Sequence, residues 1–261
     1  RFEPAAVSGG VYWNALDEIR LTTEYEVGDV QNLATLLVDP DGKGLITHWQ
    51  KTAQALLVGV ILHVLYKAQQ EGTDATLPAV DAILSNPDRD IAELWMEMVT
   101  YEHVNAKNHP TVASAARDML DRPEEEAGSV LSTATSYLAL YRDPVVRRNV
   151  SKSEFRIKDL MNYDQPVSLY IVTHPNDKAR LRPLVRILIN MIIRLLADKM
   201  EFINGQPKVH YQHRLLMMLD EFPSLGKLEI LQEALAFIAG YGIKCYLICQ
   251  DINQLKSREA G

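Results

Sequence analysis

Cysteine is nearly missing from this sequence: among 261 residues only Cys245 and Cys249 carry thiols, and both sit in one apolar run. That excludes a disulfide framework or a four-cysteine metal site and fits buried free thiols in a reducing compartment. Long apolar runs are missing too. The longest inside a candidate helix, Leu56 to Tyr66, covers 11 residues and is interrupted by His63, well short of the roughly 20 that a membrane-crossing helix needs. No leader opens the chain, which begins Arg1-Phe2-Glu3-Pro4 without an initiator methionine and so reads as a piece excised from a longer protein. Internal repeats, low-complexity tracts and long linkers do not occur. What remains is ordinary globular composition, 47% hydrophobic and 23% charged, enough to bury a core and unlike a disordered or collagen-like chain.

Charge is unevenly spread. Residues 15–126 hold 20 acidic and 8 basic side chains, whereas the remainder holds 14 acidic and 19 basic, so a net charge of −7 divides into −12 and +5. Two surfaces with different partners are expected, because summed charge steers association although it does not decide fold.

The acidic part is helical by periodicity. Trp49, Ala53, Leu56, Leu57, Val60, Ile61, Val64 and Leu65 recur at helix spacing behind Thr47 as a cap. Further helices are predicted over Val27 to Val38, Leu77 to Leu84, Arg89 to Glu102, Thr111 to Leu120 and Glu124 to Tyr141. After Asp143-Pro144 short apolar runs alternate with helical periodicity, the signature of parallel βα units. Strands are expected at Val167 to Val172, Leu215 to Leu219 and Cys245 to Cys249, covered on both faces because they are almost continuously apolar. Helices are expected between them, from about Asp177 to Met200 and from Leu228 to Ala239. The fold class is therefore α/β, a partial parallel sheet with an all-α bundle that packs on it or is inserted into it.

The chemistry concentrates in Leu215-Leu216-Met217-Met218-Leu219-Asp220-Glu221, an apolar strand ending in two adjacent carboxylates. This is a Walker B pattern. Open parallel sheets bind ligands beyond the carboxyl ends of their strands, where Asp220 could hold a magnesium ion through water and Glu221 could polarise the water that attacks a γ-phosphate. Alone, the pattern also describes a buried strand ending at a solvated turn. A second strand ending in Gln250-Asp251, 29 residues after Glu221, adds an amide on the same sheet edge, where RecA-like motors keep a glutamine that senses the γ-phosphate.

Leu219-Asp220-Glu221-Phe222-Pro223-Ser224-Leu225-Gly226, the stretch Ala234 to Gly242, and Cys249-Gln250-Asp251 together resemble the coupling proteins of type IV secretion and conjugation systems. Asn14 to Arg20, Gly128-Ser129-Val130, Asp143 to Val146, Ser168 to Val172 and Arg180 to Leu184 extend the likeness over nearly the whole chain. The resemblance implies a RecA-like P-loop NTPase core carrying an inserted all-α domain. It places a lead-in from the nucleotide-binding domain at 1–14, the all-α domain at 15–126, and part of the nucleotide-binding domain with Walker B at 127–261. It further implies ATP and Mg2+, homo-hexamers at the cytoplasmic face of the bacterial inner membrane, and transfer of single-stranded DNA with relaxase or effector proteins into the secretion channel. Glu221 and Gln250 would be catalytic and Asp220 would hold the Mg-ATP.

One family element is not in the sequence. A phosphate loop needs Gly-x-x-x-x-Gly-Lys-Ser/Thr after a strand. The only Gly-Lys pairs, Gly42-Lys43 and Gly226-Lys227, read as turns, so by analogy the loop lies upstream of Arg1. No arginine stands between Glu221 and Gln250, leaving Arg258 or residues beyond Gly261 for an arginine finger. Arg180, Arg182, Arg186 and Arg194, preceded by Arg142, Arg147, Arg148, Lys152, Arg156 and Lys158, could track DNA phosphates or form a solvated face. His210-x-x-His213 has no third ligand at a suitable distance and reads as surface histidines. Glu124, Glu125 and Glu126 are candidate contacts for a basic partner. Two competing readings remain: a helical module that only binds partners, and another RecA-like hexamer such as a secretion assembly ATPase or a DNA pump.

Overall fold

The computed structural model describes residues 1–197, 201–203, 206–208, 211–251 and 253–254. Two compact units divide the chain. One comprises Glu3–Asp39 and Gly44–Glu154, the other Arg1–Phe2, Pro40–Lys43 and Phe155–Gly261. The helical unit thus continues past position 126 to Glu154, beyond Asp143-Pro144, and it includes Arg142, Arg147, Arg148 and Lys152.

Helices α1 (Glu26–Val38), α2 (His48–Glu71), α3 (Leu77–Leu84), α4 (Ile91–Thr100), α5 (Pro110–Asp121), α6 (Glu124–Tyr137) and α7 (Pro144–Asn149) build this unit. Their starts follow from local chemistry. Thr47 and Gln50 close a capping box on α2, Thr76 and Asp90 accept from the first turns of α3 and α4, and Asp143 accepts from Val145 and Val146 ahead of Pro144. At the other end of α2, Gly72 at φ 67 closes the helix in the left-handed conformation that side chains resist. α2 is apolar nearly all round from Leu56 to Tyr66 because it is the central helix, packed by α1, α3, α5 and α6. At Gly59 a Cβ would stand 2.3 Å from the Ala115 Cβ, so the close approach of α2 and α5 depends on that missing atom.

A chain of polar groups runs through this core. His103 Nδ1 accepts from the His109 backbone N–H at 3.2 Å, so a neutral His103 carries its proton on Nε2 and donates it to His63 Nδ1 at 2.9 Å. His63 is then protonated on Nε2, which stands 3.3 Å from Glu97 Oε1. Glu97 is also held by Lys67 and Arg89, each at 2.6 Å. A parallel branch fixes His109: Thr111 N–H donates to its Nδ1, its Nε2 lies 3.1 Å from Glu26 Oε1, and the Tyr66 hydroxyl donates to Glu26 Oε2 at 2.6 Å. Burial lowers His63 to about 4 against the pull of Glu97, and burial together with the neighbouring histidines lowers His103 to about 4. Although desolvation pushes Glu97 up, the Lys67 and Arg89 hydrogen bonds win and hold it at about 2.

The second unit contains α8 (Asp159–Asn162), α9 (Lys178–Leu196), a short antiparallel hairpin of β1 (Glu201–Ile203) and β2 (Gln206–Lys208), then β3 (Leu215–Leu219), α10 (Glu229–Ala234) and β4 (Ile243–Leu247). β3 and β4 pair in parallel, Leu215 opposite Ile243 through Leu219 opposite Leu247. Three strand expectations change, the first being that the strand expected at Cys245 to Cys249 lies at Ile243–Leu247, where the parallel register with β3 sets it. Among the described residues Val167 to Val172 forms a single parallel bridge, Ile171 with Phe2, with Phe2 N–H donating to Tyr170 O and Val172 N–H to Phe2 O. Nor are the strands covered on both faces: Met217, Leu219 and Ile243 are buried, but Leu216 is 58%, Met218 61% and Tyr246 59% exposed. α9 stays close to its expected range, burying Leu181, Leu184, Ile187, Leu188 and Leu196, although Met200 lies outside the described residues. The helix expected from Leu228 to Ala239 is shorter and is followed by a 3-10 turn at Ile238–Tyr241.

Candidate active site

The site grows from the end of β3. Pairing continues one step beyond β4, with Ile248 N–H donating to Leu219 O at 3.0 Å and Phe222 N–H to Ile248 O at 2.9 Å. The two residues between Leu219 and Phe222 must therefore turn within one step. Glu221 does so at φ 47 and ψ 43, a left-handed conformation that costs a non-glycine residue roughly 1–2 kcal/mol. Buried Phe222 anchors the far side, beginning a 3-10 turn at Phe222–Leu225. Asp220 is exposed, and its Oδ1 accepts the Glu221 N–H at 3.0 Å.

Both oxygens of Glu221 face donors. Gln250 Nε2, just past β4, donates to Oε1 at 3.2 Å, and Lys178 Nζ at the start of α9 donates to Oε2. The Lys178 hydrogen bond and charge, with a smaller contribution from Gln250, hold the Glu221 carboxyl below the usual carboxylate range. The register thus brings Glu221 and Gln250 to one sheet edge beside Asp220. Lys178 joins them from 43 positions away; no spacing rule links it to Glu221, and its one sequence signal is its place at the head of the helix after an apolar run.

The arginines sort differently. Arg186 is 3% exposed and donates to Leu225 O at 2.7 Å, so its guanidinium braces the loop after β3. Arg180 pairs with Asp177 at 2.7 Å, and Arg182 pairs with Asp41. In the helical unit Arg142 is bound to Asp81 at 2.8 Å and Arg148 to the carbonyls of Ala6 and Val7. The two Gly-Lys pairs are turns that lie against each other: a Cβ on Gly42, at φ 72, would stand 2.2 Å from Lys227 O. Glu124 and Glu125 are exposed in the first turn of α6, whereas Glu126 pairs with Arg122 and lies 3.5 Å from His48. Cys245 and Cys249 are free and half-buried, with burial pushing the Cys245 thiol up. His213 Nε2 lies 2.9 Å from Tyr163 O; His210 and Arg258 lie outside the described residues.

Magnesium demands oxygen ligands and usually keeps several waters, arriving with phosphates on one or two carboxylates. Exposed Asp220 beside Glu221 suits that, and among the described residues no group of three or more His, Cys, Asp or Glu would cage an ion on protein ligands alone. Also among the described residues, no helix is long and apolar enough to cross a membrane.

Conjugal transfer protein TraG of Escherichia coli is 79% identical over 261 residues, all of this chain and 41% of that protein. The conjugative coupling protein TrwB, solved with sulphate, superposes with a TM-score of 0.67 at 18% identity, covering 99% of this chain and 53% of the other. TrwB in complex with ADP and Mg2+ gives 0.62 at 18% identity over 95% of this chain and 51% of that one. At such identity the likeness shows the fold, a RecA-like α/β core with a helical unit. The chain spans less than half the length of the TraG protein it matches. Residues 1–261 match the type IV secretory system conjugative DNA transfer family throughout, and the chain belongs to that family.

Proposed function

We propose that this chain is the helical unit and part of the nucleotide-binding unit of a coupling ATPase, which links relaxase–DNA or effector substrates to a type IV secretion channel and powers their transfer. The observation that carries the reading is the meeting of Asp220, Glu221 and Gln250 at the carboxyl edge of the parallel β3–β4 pair. TrwB, of the same fold, was solved with ADP and Mg2+, which supports ATP and Mg2+ here.

In this reading Asp220 holds the hydrated magnesium, which when bound neutralises charge on the phosphates. Glu221 orients and polarises the attacking water, and Gln250 fixes the carboxylate from the neighbouring strand so that it stays in register with its target. The left-handed turn aims Glu221 along the sheet edge, and the Ile248 and Phe222 pairing supplies the rigidity that sustains this strain. The phosphate loop comes from sequence outside these 261 residues, in a full-length protein that forms hexamers at the inner membrane. Single-stranded DNA is then met through Arg180 and Arg182, which must exchange Asp177 and Asp41 for phosphate.

The test is Glu221→Gln in the full-length protein. The neutral amide keeps the shape and cannot polarise water, so ATP should bind and stay while turnover falls by on the order of 10²-fold or more. Near-normal hydrolysis would remove Glu221 from this role. The 261-residue chain alone should hydrolyse no ATP, because it has no amide cradle and lysine for the phosphates. The partner-binding reading of the helical unit is favoured by its concentration of negative charge, −12 over residues 15–126, which attracts basic proteins and repels DNA.

A further inference from the structure

Both Glu221 oxygens are engaged, Oε1 by Gln250 at 3.2 Å and Oε2 by Lys178. While Lys178 stays, its ammonium holds Oε2 and stabilises the charged carboxylate, which makes it a weaker acceptor for a proton from water. The surroundings make Lys178 the cation suited to move. It roots in the first turn of a 19-residue helix anchored by buried Leu181, Leu184 and Leu188, yet its own side chain is 37% exposed. A lysine head is a compact charge with three donors on a flexible stem. Arg182 on the same helix is committed to Asp41, and Arg186 to Leu225 O.

We propose that Lys178 is a positioning residue of the nucleotide site: it clamps the Glu221 carboxylate while no triphosphate is bound, then transfers to the terminal phosphate and releases Glu221 Oε2 toward water. This rests on the reading of Asp220 and Glu221 as the nucleotide site. The driving force is charge: a terminal phosphate carries more negative charge than one carboxylate and offers three acceptor oxygens, so it outcompetes Glu221 for the ammonium. A diphosphate lacks that group and leaves the clamp closed. The strained left-handed backbone of Glu221 fits such a role, since it fixes the carboxylate where the lysine can reach it and limits how far it can follow when the lysine leaves. Lys178 thereby couples the arrival of a triphosphate to activation of the water-polarising group, with no bond made or broken.

The experiment measures reductive methylation of the Lys178 amine by mass spectrometry in the full-length protein, together with binding of a fluorescent ATP analogue. In the wild type without nucleotide Lys178 should react slowly. In Glu221→Gln without nucleotide, or with ADP, it should react several-fold faster, because the neutral amide holds an ammonium weakly. Adding Mg2+ and the non-hydrolysable analogue ADPNP to Glu221→Gln should restore protection. In turnover, Lys178→Ala should lower kcat with a smaller change in KM, and Lys178→Arg should recover much of the loss. If ADPNP binds but Lys178 of Glu221→Gln reacts equally with ADPNP and with ADP, the transfer is wrong while the site reading stands. If folded full-length protein binds no analogue, the site reading and this inference fall together.

Discussion

Acidification should weaken the helical unit through two of its buried histidines, His63 and His103, and the size of the effect follows from their burial and pairing. His103 has both ring nitrogens committed, Nδ1 accepting from the His109 N–H and Nε2 donating to His63. A second proton on His103 must break the first bond and place two donors face to face. With burial as the largest cause for each, both histidines fall from about 6.5 to about 4 on folding. A base with a lowered native value is protonated in the unfolded chain first, so between about pH 6.5 and pH 4 the unfolded state binds more protons and stability falls as pH falls. The contribution is fully present above about pH 6.5 and is lost by about pH 4, below which both states are charged. At about 1.4 kcal/mol per unit, one histidine contributes about 3 kcal/mol over that window. The coupled pair contributes between one and two such amounts, a large share of the 5–15 kcal/mol typical of a domain. Glu97 acts lower, losing its contribution between about 4.5 and about 2. The assay is urea unfolding of the chain followed by far-UV circular dichroism at a series of pH values. His103→Gln keeps one donor and one acceptor but cannot charge, so it should reduce the slope of stability against pH between 4 and 6.5 by about 1.4 kcal/mol per unit. A stability flat from neutral pH to about pH 4.5, or a slope unchanged in His103→Gln, would refute the reasoning.

Gly59→Ala places a methyl 2.3 Å from Ala115 Cβ, forcing α2 and α5 apart; a loss of about 1–3 kcal/mol in chemical denaturation is expected, and an unchanged midpoint would mean the helices tolerate the shift. Asp143→Ala removes the acceptor for Val145 and Val146 at the start of α7 and should cost about 1 kcal/mol, read in the same assay. Reversing Glu124 and Glu125 to lysine, with Glu126 kept because it pairs with Arg122, should weaken binding of a basic relaxase most at low salt, where the Debye length is roughly 10 Å or more. Titration against the relaxase and single-stranded DNA decides this, and tight DNA binding with indifference to the protein would overturn the recruiting role.

Helices were legible in the sequence where capping chemistry and periodicity agreed. Thr47 with Gln50, Thr76 with Pro78, and Asp143 with Pro144 each mark a start that the structure keeps. Strands were less so, because an apolar run states what a segment can pair with and not what stands beside it. Val167 to Val172 has strand composition, yet among the described residues it makes one bridge, with Phe2. The same limit explains Leu216 and Met218, whose apolar character predicts cover that the described residues do not supply. The hairpin of β1 and β2 had an unused signal, an Asn204-Gly205 pair between two short segments.

The site shows the same division between local and distant information. Asp220-Glu221 and Gln250 were readable because each ends an apolar strand and strand ends gather at one sheet edge. Their meeting follows from the parallel register, which sets Leu219 opposite Leu247 and so places the residues just beyond both strands side by side. Lys178 and Arg186 lie on one helix with similar charge and no motif to separate them, and the fold assigns them opposite fates. Arg186 faces inward and braces Leu225 O, while Lys178, two turns earlier at the exposed head of α9, reaches Glu221. Charge counting places Arg186 with Arg180 and Arg182 on one DNA-facing surface and leaves Lys178 unassigned, because net charge carries no direction. Position along the helix supplies the direction, since Arg186 falls among Leu184, Val185 and Ile187 in the part of α9 that is buried all round, whereas Lys178 stands at its exposed start.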